Sequence, residues 1–176
     1  MKKIELKIRT WPDKILRSKC KKVGVVNENI RQILDGMYSL MHENKGVGLA
    51  ANQAGLNSRL IVIEAEDKFF KLINPCIVKK EGKISILEGC LSFPGLELQI
   101  KRAKKVWVRS LDEKGEPLDL EAEGVLAIIF QHEIDHLNGI IFIDRIPFWK
   151  RLNILKQLRA IRKITKNGLR QQNKKQ

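Results

Sequence analysis

Apolar residues recur at helical steps between Asn27 and Glu43. Ile30, Ile33, Leu34, Met37, Leu40 and Met41 share a face, and Asn27 stands where a side-chain oxygen can cap the first turn. This predicts a first helix over 27–43. A glycine-rich stretch follows, and then a short apolar run from Arg59 to Ala65, whose β-branched Ile61, Val62 and Ile63 suit a buried strand. Further short strands are predicted at 69–79, 83–88, 97–101, 105–111 and 117–122, separated by turns such as Glu81-Gly82 and Lys114-Gly115 and arranged as antiparallel hairpins. From Gly124 the pattern turns helical again, with Val125, Leu126, Ile128 and Ile129 on a segment so apolar that it belongs at the centre of the fold. After Pro147, Leu152, Leu155, Leu158 and Ile161 recur among Lys and Arg, which predicts an amphipathic terminal helix whose last few residues fray. The expected class is α+β, with antiparallel sheets packed around the central helix, an N-terminal helix and a C-terminal amphipathic helix.

Length and charge refine this picture. A chain of 176 residues with 43% hydrophobic content suits one domain with a sizeable core. The expected division is a single catalytic domain over 1–147 and a basic C-terminal helix and tail over 148–176. The chain carries 34 basic and 20 acidic residues, a formal net charge of +14, and ten of the basic residues with no acidic one lie between Lys150 and Gln176. The first 149 residues are therefore nearly balanced, at 24 basic against 20 acidic. The tail is where a polyanion would bind. No segment approaches a membrane span and the N-terminus lacks the apolar stretch of a secretory signal, so neither a membrane partner nor export is expected. Three cysteines at wide spacings fit a reducing compartment, and the expected location is the cytoplasm.

The chemistry centres on His132-Glu133-Ile134-Asp135-His136, an HExxH motif on the apolar helix. Residues four apart on a helix stack on one face, so both imidazoles can reach one cation while Glu133 sits beside it as a proton-transfer group. Catalytic zinc-type sites take three protein ligands and leave one position for water. The third ligand is the problem. A metzincin would place histidine where Phe142 stands, a thermolysin-like site needs a later glutamate, and Glu133 is the last glutamate of the chain. The ligand is therefore sought upstream, among His42, Cys20, Cys76 and Cys90. Cys90 lies between a predicted strand and a loop with Pro94 and Gly95, from which a side chain can project off a sheet edge. A zinc endopeptidase, or a nucleic-acid-binding module with a structural metal, would use the same residues differently. The missing downstream ligands oppose the first. A site with an open position beside Glu133 opposes the second, because structural zinc sites are closed by four protein ligands.

Three segments together carry a resemblance. Gly46-Val47-Gly48-Leu49-Ala50-Ala51-Asn52-Gln53, Glu88-Gly89-Cys90-Leu91-Ser92 and His132 to His136 resemble the three signatures of peptide deformylases, in family order and at family spacing. The resemblance extends from about residue 4 to about residue 165. It implies that Cys90, His132 and His136 hold one divalent metal, Fe²⁺ in the cell with Zn²⁺, Ni²⁺ or Co²⁺ as replacements. It further implies hydrolysis of the formyl group from formylmethionine at the start of nascent peptides, with release of formate. Glu133 would move the proton of the attacking water to the leaving amine, and the Gln53 side-chain amide and the Leu91 backbone N–H would stabilise the oxyanion.

The same resemblance suggests where a peptide would lie. Gly46 and Gly48 lack side chains, so a substrate backbone could pass close and pair with the exposed main chain, with Val47 and Leu91 bordering an apolar pocket for the methionine. Ile128 and Ile129 are both candidates but cannot both face that pocket, and helical spacing favours Ile128, one turn before His132 on its face. Asp135 is expected to face away from the metal and to orient a basic or polar neighbour, and Glu88 and Arg102 to pair near Cys90 as in relatives. Glu97 stands where some bacterial relatives carry a basic residue at the cleft rim. The basic terminal helix, 148–170, is expected to favour ribosomal RNA; no DNA partner is expected.

Overall fold

The computed structural model describes residues 5–65 and 67–172, with side chains to residue 165. Among the described residues one α-helix precedes a run of seven strands, and three α-helices follow it. Helix α1 spans Glu28–Glu43, and the Asn27 side chain accepts the Ile30 N–H at 3.1 Å, the cap its position implies. Strands β1 (Gly48–Ala50), β2 (Leu60–Ala65), β3 (Lys68–Glu81), β6 (Lys105–Leu111) and β7 (Pro117–Glu123) form a five-stranded sheet in the order β1-β2-β3-β6-β7. Strands β4 (Ile84–Glu88) and β5 (Leu98–Arg102) form a separate two-stranded sheet. Every pairing between these strands is antiparallel. Helix α2 spans Gly124–Leu137, and helices α3 (Phe148–Asn153) and α4 (Leu155–Gln172) follow a 3-10 turn at Phe142–Arg145.

The fold class is α+β, with the sheets and central helix in the places that hydrophobic patterning indicates. Strand β2 shows why its residues form a continuous apolar run. Ile61 and Ile63 pack on the side of α2, with Leu72, Val106, Phe130 and Ile134, while Leu60 and Val62 pack on the side of α1, with Leu34, Met37 and Met41. A strand covered on both faces has no polar face to alternate with. Helix α2 is buried from Leu126 to Leu137 and packs against β1, β2, β3, β6 and β7. A third apolar cluster joins β5 to the C-terminal region through Phe93, Leu98, Ile100, Phe142, Ile154 and Ile161.

Three elements differ from the sequence expectation. Strand β1 lies in the glycine-rich stretch where no strand was expected, because three fully buried residues, Gly48, Leu49 and Ala50, offer no alternation to read. The hairpin arrangement holds for β2 with β3, β4 with β5 and β6 with β7, but β3 then pairs with β6 and leaves β4 and β5 outside the main sheet. The terminal helix is broken: Ile154 leaves helical geometry at φ −98° and ψ 3° between α3 and α4. That break turns Leu152 and Leu155 outward while Ile154, Leu158 and Ile161 pack on the body. The expected fraying concerns residues 173–176, which lie outside the described ones. Among the described residues no helix is long and apolar enough to cross a membrane.

Candidate metal centre and cleft

Helix α2 delivers His132 and His136 to one point. They lie one turn apart on the same face, and their Nε2 atoms are 3.2 Å from each other. Cys90 arrives from the segment after β4, with Sγ 3.3 Å from His136 Nε2. All three donor atoms lie within 4.8 Å of one another. Two nitrogens bound at about 2.0–2.1 Å to one tetrahedral ion would stand about 3.3 Å apart, so the imidazole spacing fits a first-row divalent cation. His42, Cys20 and Cys76 take no part: the His42 side chain is largely exposed beside Glu64, Cys20 is buried in the core, and Cys76 is exposed on β3.

The surroundings orient these donors. His132 Nδ1 lies 2.9 Å from Glu88 Oε2, so an Nδ1–H donated to that carboxylate turns Nε2 toward His136 and Cys90. Burial alone would raise the Glu88 carboxyl, but the Arg102 fork and His132 outweigh it and hold it below the usual range. The Arg102 guanidinium donates to both Glu88 oxygens, at 2.7 and 2.9 Å, and to Asp135. Asp135 also accepts from Arg145. Burial, helped by the charges of His132 and Arg102, holds His136 well below the ordinary imidazole range and so in the neutral form that can ligate.

Gln53 sits on the opposite wall. Its Oε1 accepts the Ala50 N–H at 2.9 Å, and its Nε2 points to Cys90 Sγ at 3.4 Å and Ser92 Oγ at 3.3 Å. The amide nitrogen is thereby turned toward the donor cluster. Leu91 follows Cys90, and among the described residues its N–H has no acceptor.

Glu133 is 4% exposed, and its Oε2 has no hydrogen-bond partner among the described residues. Burial pushes its carboxyl up to about 7 against the opposing charges of His132 and Arg102. Such a group can both take and release a proton near neutral pH. Gly48 makes room for it: a Cβ at position 48 would stand 2.6 Å from Glu133 Oε1. A Cβ at Gly46 would meet Leu91 Cδ1 at 2.7 Å. Both glycines therefore serve close approaches within the chain, a constraint that reasoning from substrate access alone did not include.

A cavity of about 900 Å³ opens onto these groups, reaching Gln53, Cys90, His132 and Glu133. Val47, Ile86, Leu91, Val125, Ile128 and Ile129 provide its apolar wall. Ile128 and Ile129 both line it, against the expectation that only one of them could face the pocket, because a space this wide spans two adjacent positions of the helix. Ile86 was not singled out in the sequence, and Val125, read there as part of the buried helix, is instead 51% exposed at the cleft. Ile86 had a signal in the alternation of β4, and Val125 in standing at the exposed start of an otherwise buried helix. Glu97 is exposed at the rim, its Cγ 3.9 Å from where a Cβ on Gly89 would stand.

Known proteins resemble this chain over most of its length. The sequence model described as polypeptide deformylase matches residues 5–152. The peptide deformylase of Aquifex aeolicus is 43% identical over 162 residues, covering 89% of this chain and 96% of that protein. Peptide deformylase 2 of Clostridium acetobutylicum is 49% identical over 138 residues, 78% of this chain and 92% of that protein. The crystal structure of peptide deformylase from Thermus thermophilus superposes with a TM-score of 0.84 at 41% identity, covering 90% of this chain and 98% of that one.

Proposed function

Because the chain belongs to the peptide deformylase family, hydrolases that act on formylmethionyl peptides, we propose a specific division of labour among its residues. The carrying observation is that an open three-donor cluster, a buried unpartnered carboxyl and an amide N–H donor face the same cavity. Cys90 Sγ and the Nε2 atoms of His132 and His136 would hold a divalent ion, with Fe²⁺ favoured over Zn²⁺, Ni²⁺ or Co²⁺ by the family resemblance. Such an ion supplies Lewis acidity, which lowers the pKa of a water from 15.7 toward about 7.

The remaining work falls to the chain. Glu133 takes the proton of the attacking water at its free Oε2 and passes it to the leaving amine, so that formate and a free methionine N-terminus result. As the formyl carbon becomes tetrahedral its oxygen gains charge, and Gln53 Nε2 and the Leu91 N–H are the donors that meet it; one such donor contributes about 2.7–4 kcal/mol. The peptide lies between two free strand edges. Among the described residues strand β1 pairs only with β2 and strand β4 only with β5, and Gly46, Val47 and Gly48 line the same cleft as Ile86, Leu87 and Glu88. An extended backbone can bond to such an edge while the methionine side chain enters the pocket beside Val47, Leu91 and Ile128. Incubating anaerobically prepared, Fe²⁺-loaded protein with formyl-Met-Ala-Ser should release formate and leave internal peptide bonds intact. No formate would refute the proposal.

The C-terminal helices are assigned to ribosome association. Phe148, Trp149, Leu152 and Leu155 are exposed beside Lys150, Lys156 and Arg159, with no acidic residue from position 150 onward. Deleting residues 150–176 would be a poor test, since Ile154 and Ile161 belong to the core and Thr165 Oγ1 donates to the Trp11 carbonyl at 2.9 Å. Reversing Lys156, Arg159 and Lys163 to glutamate leaves those contacts alone. Co-sedimentation with ribosomes should weaken, and the slope of log K against log salt should fall by about two to three if each contacts a phosphate. Unchanged binding would end the assignment.

A further inference from the structure

A file of alternating charges leads from the donor cluster to the start of the terminal helices. His132 Nδ1 lies against Glu88, Glu88 takes the two-pronged donation of Arg102, Arg102 Nη1 reaches Asp135 Oδ2, and the Arg145 guanidinium closes on both Asp135 oxygens, with Nε 2.8 Å from Oδ2. Glu88, Arg102 and Asp135 are each less than a tenth exposed. Arg145, on the 3-10 turn after α2, is the one member that reaches solvent, with its side chain 36% exposed. Resting on the metal reading given above, we infer that Arg145 is a positioning residue for the metal centre, acting on His132 through Asp135, Arg102 and Glu88.

Charge and geometry carry the inference. Two carboxylates and two guanidiniums balance. Without Arg145, two buried carboxylates compete for one guanidinium, and an uncompensated buried charge is costly enough to draw its partner out of place. Arg102 Nη1 and Arg145 Nε converge on the same oxygen, Asp135 Oδ2, so a shift of Asp135 moves the Arg102 fork. Glu88 depends on that fork for both its oxygens. Its Oε2 in turn fixes which His132 nitrogen keeps the proton and where Nε2 points. A planar, two-pronged guanidinium holds a carboxylate in one orientation, which a point charge on a flexible stem does not.

The test uses the full chain and Co²⁺ as the probe, in the absence of peptide. Arg145→Met keeps the stem and removes the fork. Arg17→Met is the control: Arg17 pairs with Asp144 on the same 3-10 turn but has no contact with the file. Arg145→Met should weaken Co²⁺ binding by about three- to tenfold, less than the 10- to 100-fold that removal of an outer-shell partner in direct contact with a ligand costs. It should also alter the Co²⁺ ligand-field absorption, while Arg17→Met alters neither. In an Asp135→Asn background, Arg145→Met should add no further loss, because the route is already cut. Equal losses in both arginine variants, or additive losses in the Asp135→Asn background, would make Arg145 a general support of the turn and overturn the inference. An Arg145→Met protein that binds Co²⁺ as tightly as the wild type, with the same absorption, would overturn the inference alone. Failure of the wild type to bind Co²⁺ would overturn the metal reading with it.

Discussion

Glu133→Gln should lower kcat/KM for a formylmethionyl peptide by about 10²- to 10⁴-fold while leaving the metal content unchanged. Glutamine has nearly the same shape, so the tight fit against Gly48 survives and the buried site does not collapse. What disappears is the proton acceptor. The carboxyl is not among the three clustered donors, it is buried, and its Oε2 is free of partners while burial pushes it up to about 7. Each feature suits a group that exchanges a proton. Metal analysis and formate release on the same preparation separate the two roles. Retention of activity to within tenfold would remove Glu133 from the proton path, and loss of metal together with activity would make it a ligand.

Much of this arrangement was legible because its signals are local. The spacing of His132 and His136 places two rings on one helix face whatever surrounds them, and the apolarity of residues 125–134 places that helix inside. The buried strand β2 announced itself by β-branched residues. Strand β1 did not, since its three residues are too few for a period, yet it forms one wall of the cleft. Leu152, Leu155, Leu158 and Ile161 read as one stripe only if the helix is continuous. The break at Ile154 divides them between solvent and core, and no proline or glycine marks it. Long-range pairings were the least visible. Asp135 could be given a basic or polar neighbour but not Arg145, because that pairing depends on the turn after α2 folding back beside it. The third metal donor was open among four upstream residues until the Glu88 to Ser92 segment supplied a resemblance, and only folding brings Cys90 within 3.3 Å of His136.

That donor carries the second large effect. Cys90→Ala should reduce metal affinity by more than the 10- to 100-fold typical of losing an outer partner, and formate release should fall with it to near background. With the thiolate gone, two imidazoles one helical turn apart remain, one short of the three protein ligands that catalytic sites of this kind use. Gln53 also loses one of the two acceptors that hold its amide nitrogen, so the oxyanion donor is loosened in the same stroke. Cys90→Ser distinguishes these contributions. The hydroxyl restores an acceptor of similar size for Gln53 but does not ionise at neutral pH, so metal should still be lost while the amide stays in place. Cys76→Ser provides the control: Cys76 lies exposed on β3, outside the cluster, and its removal should leave metal content and turnover unchanged. If Cys90→Ala instead kept its ion within tenfold of wild-type affinity, the third ligand would have to come from elsewhere around the cavity. Glu133, buried with a free Oε2 and lining the same cavity, would be the first residue to examine.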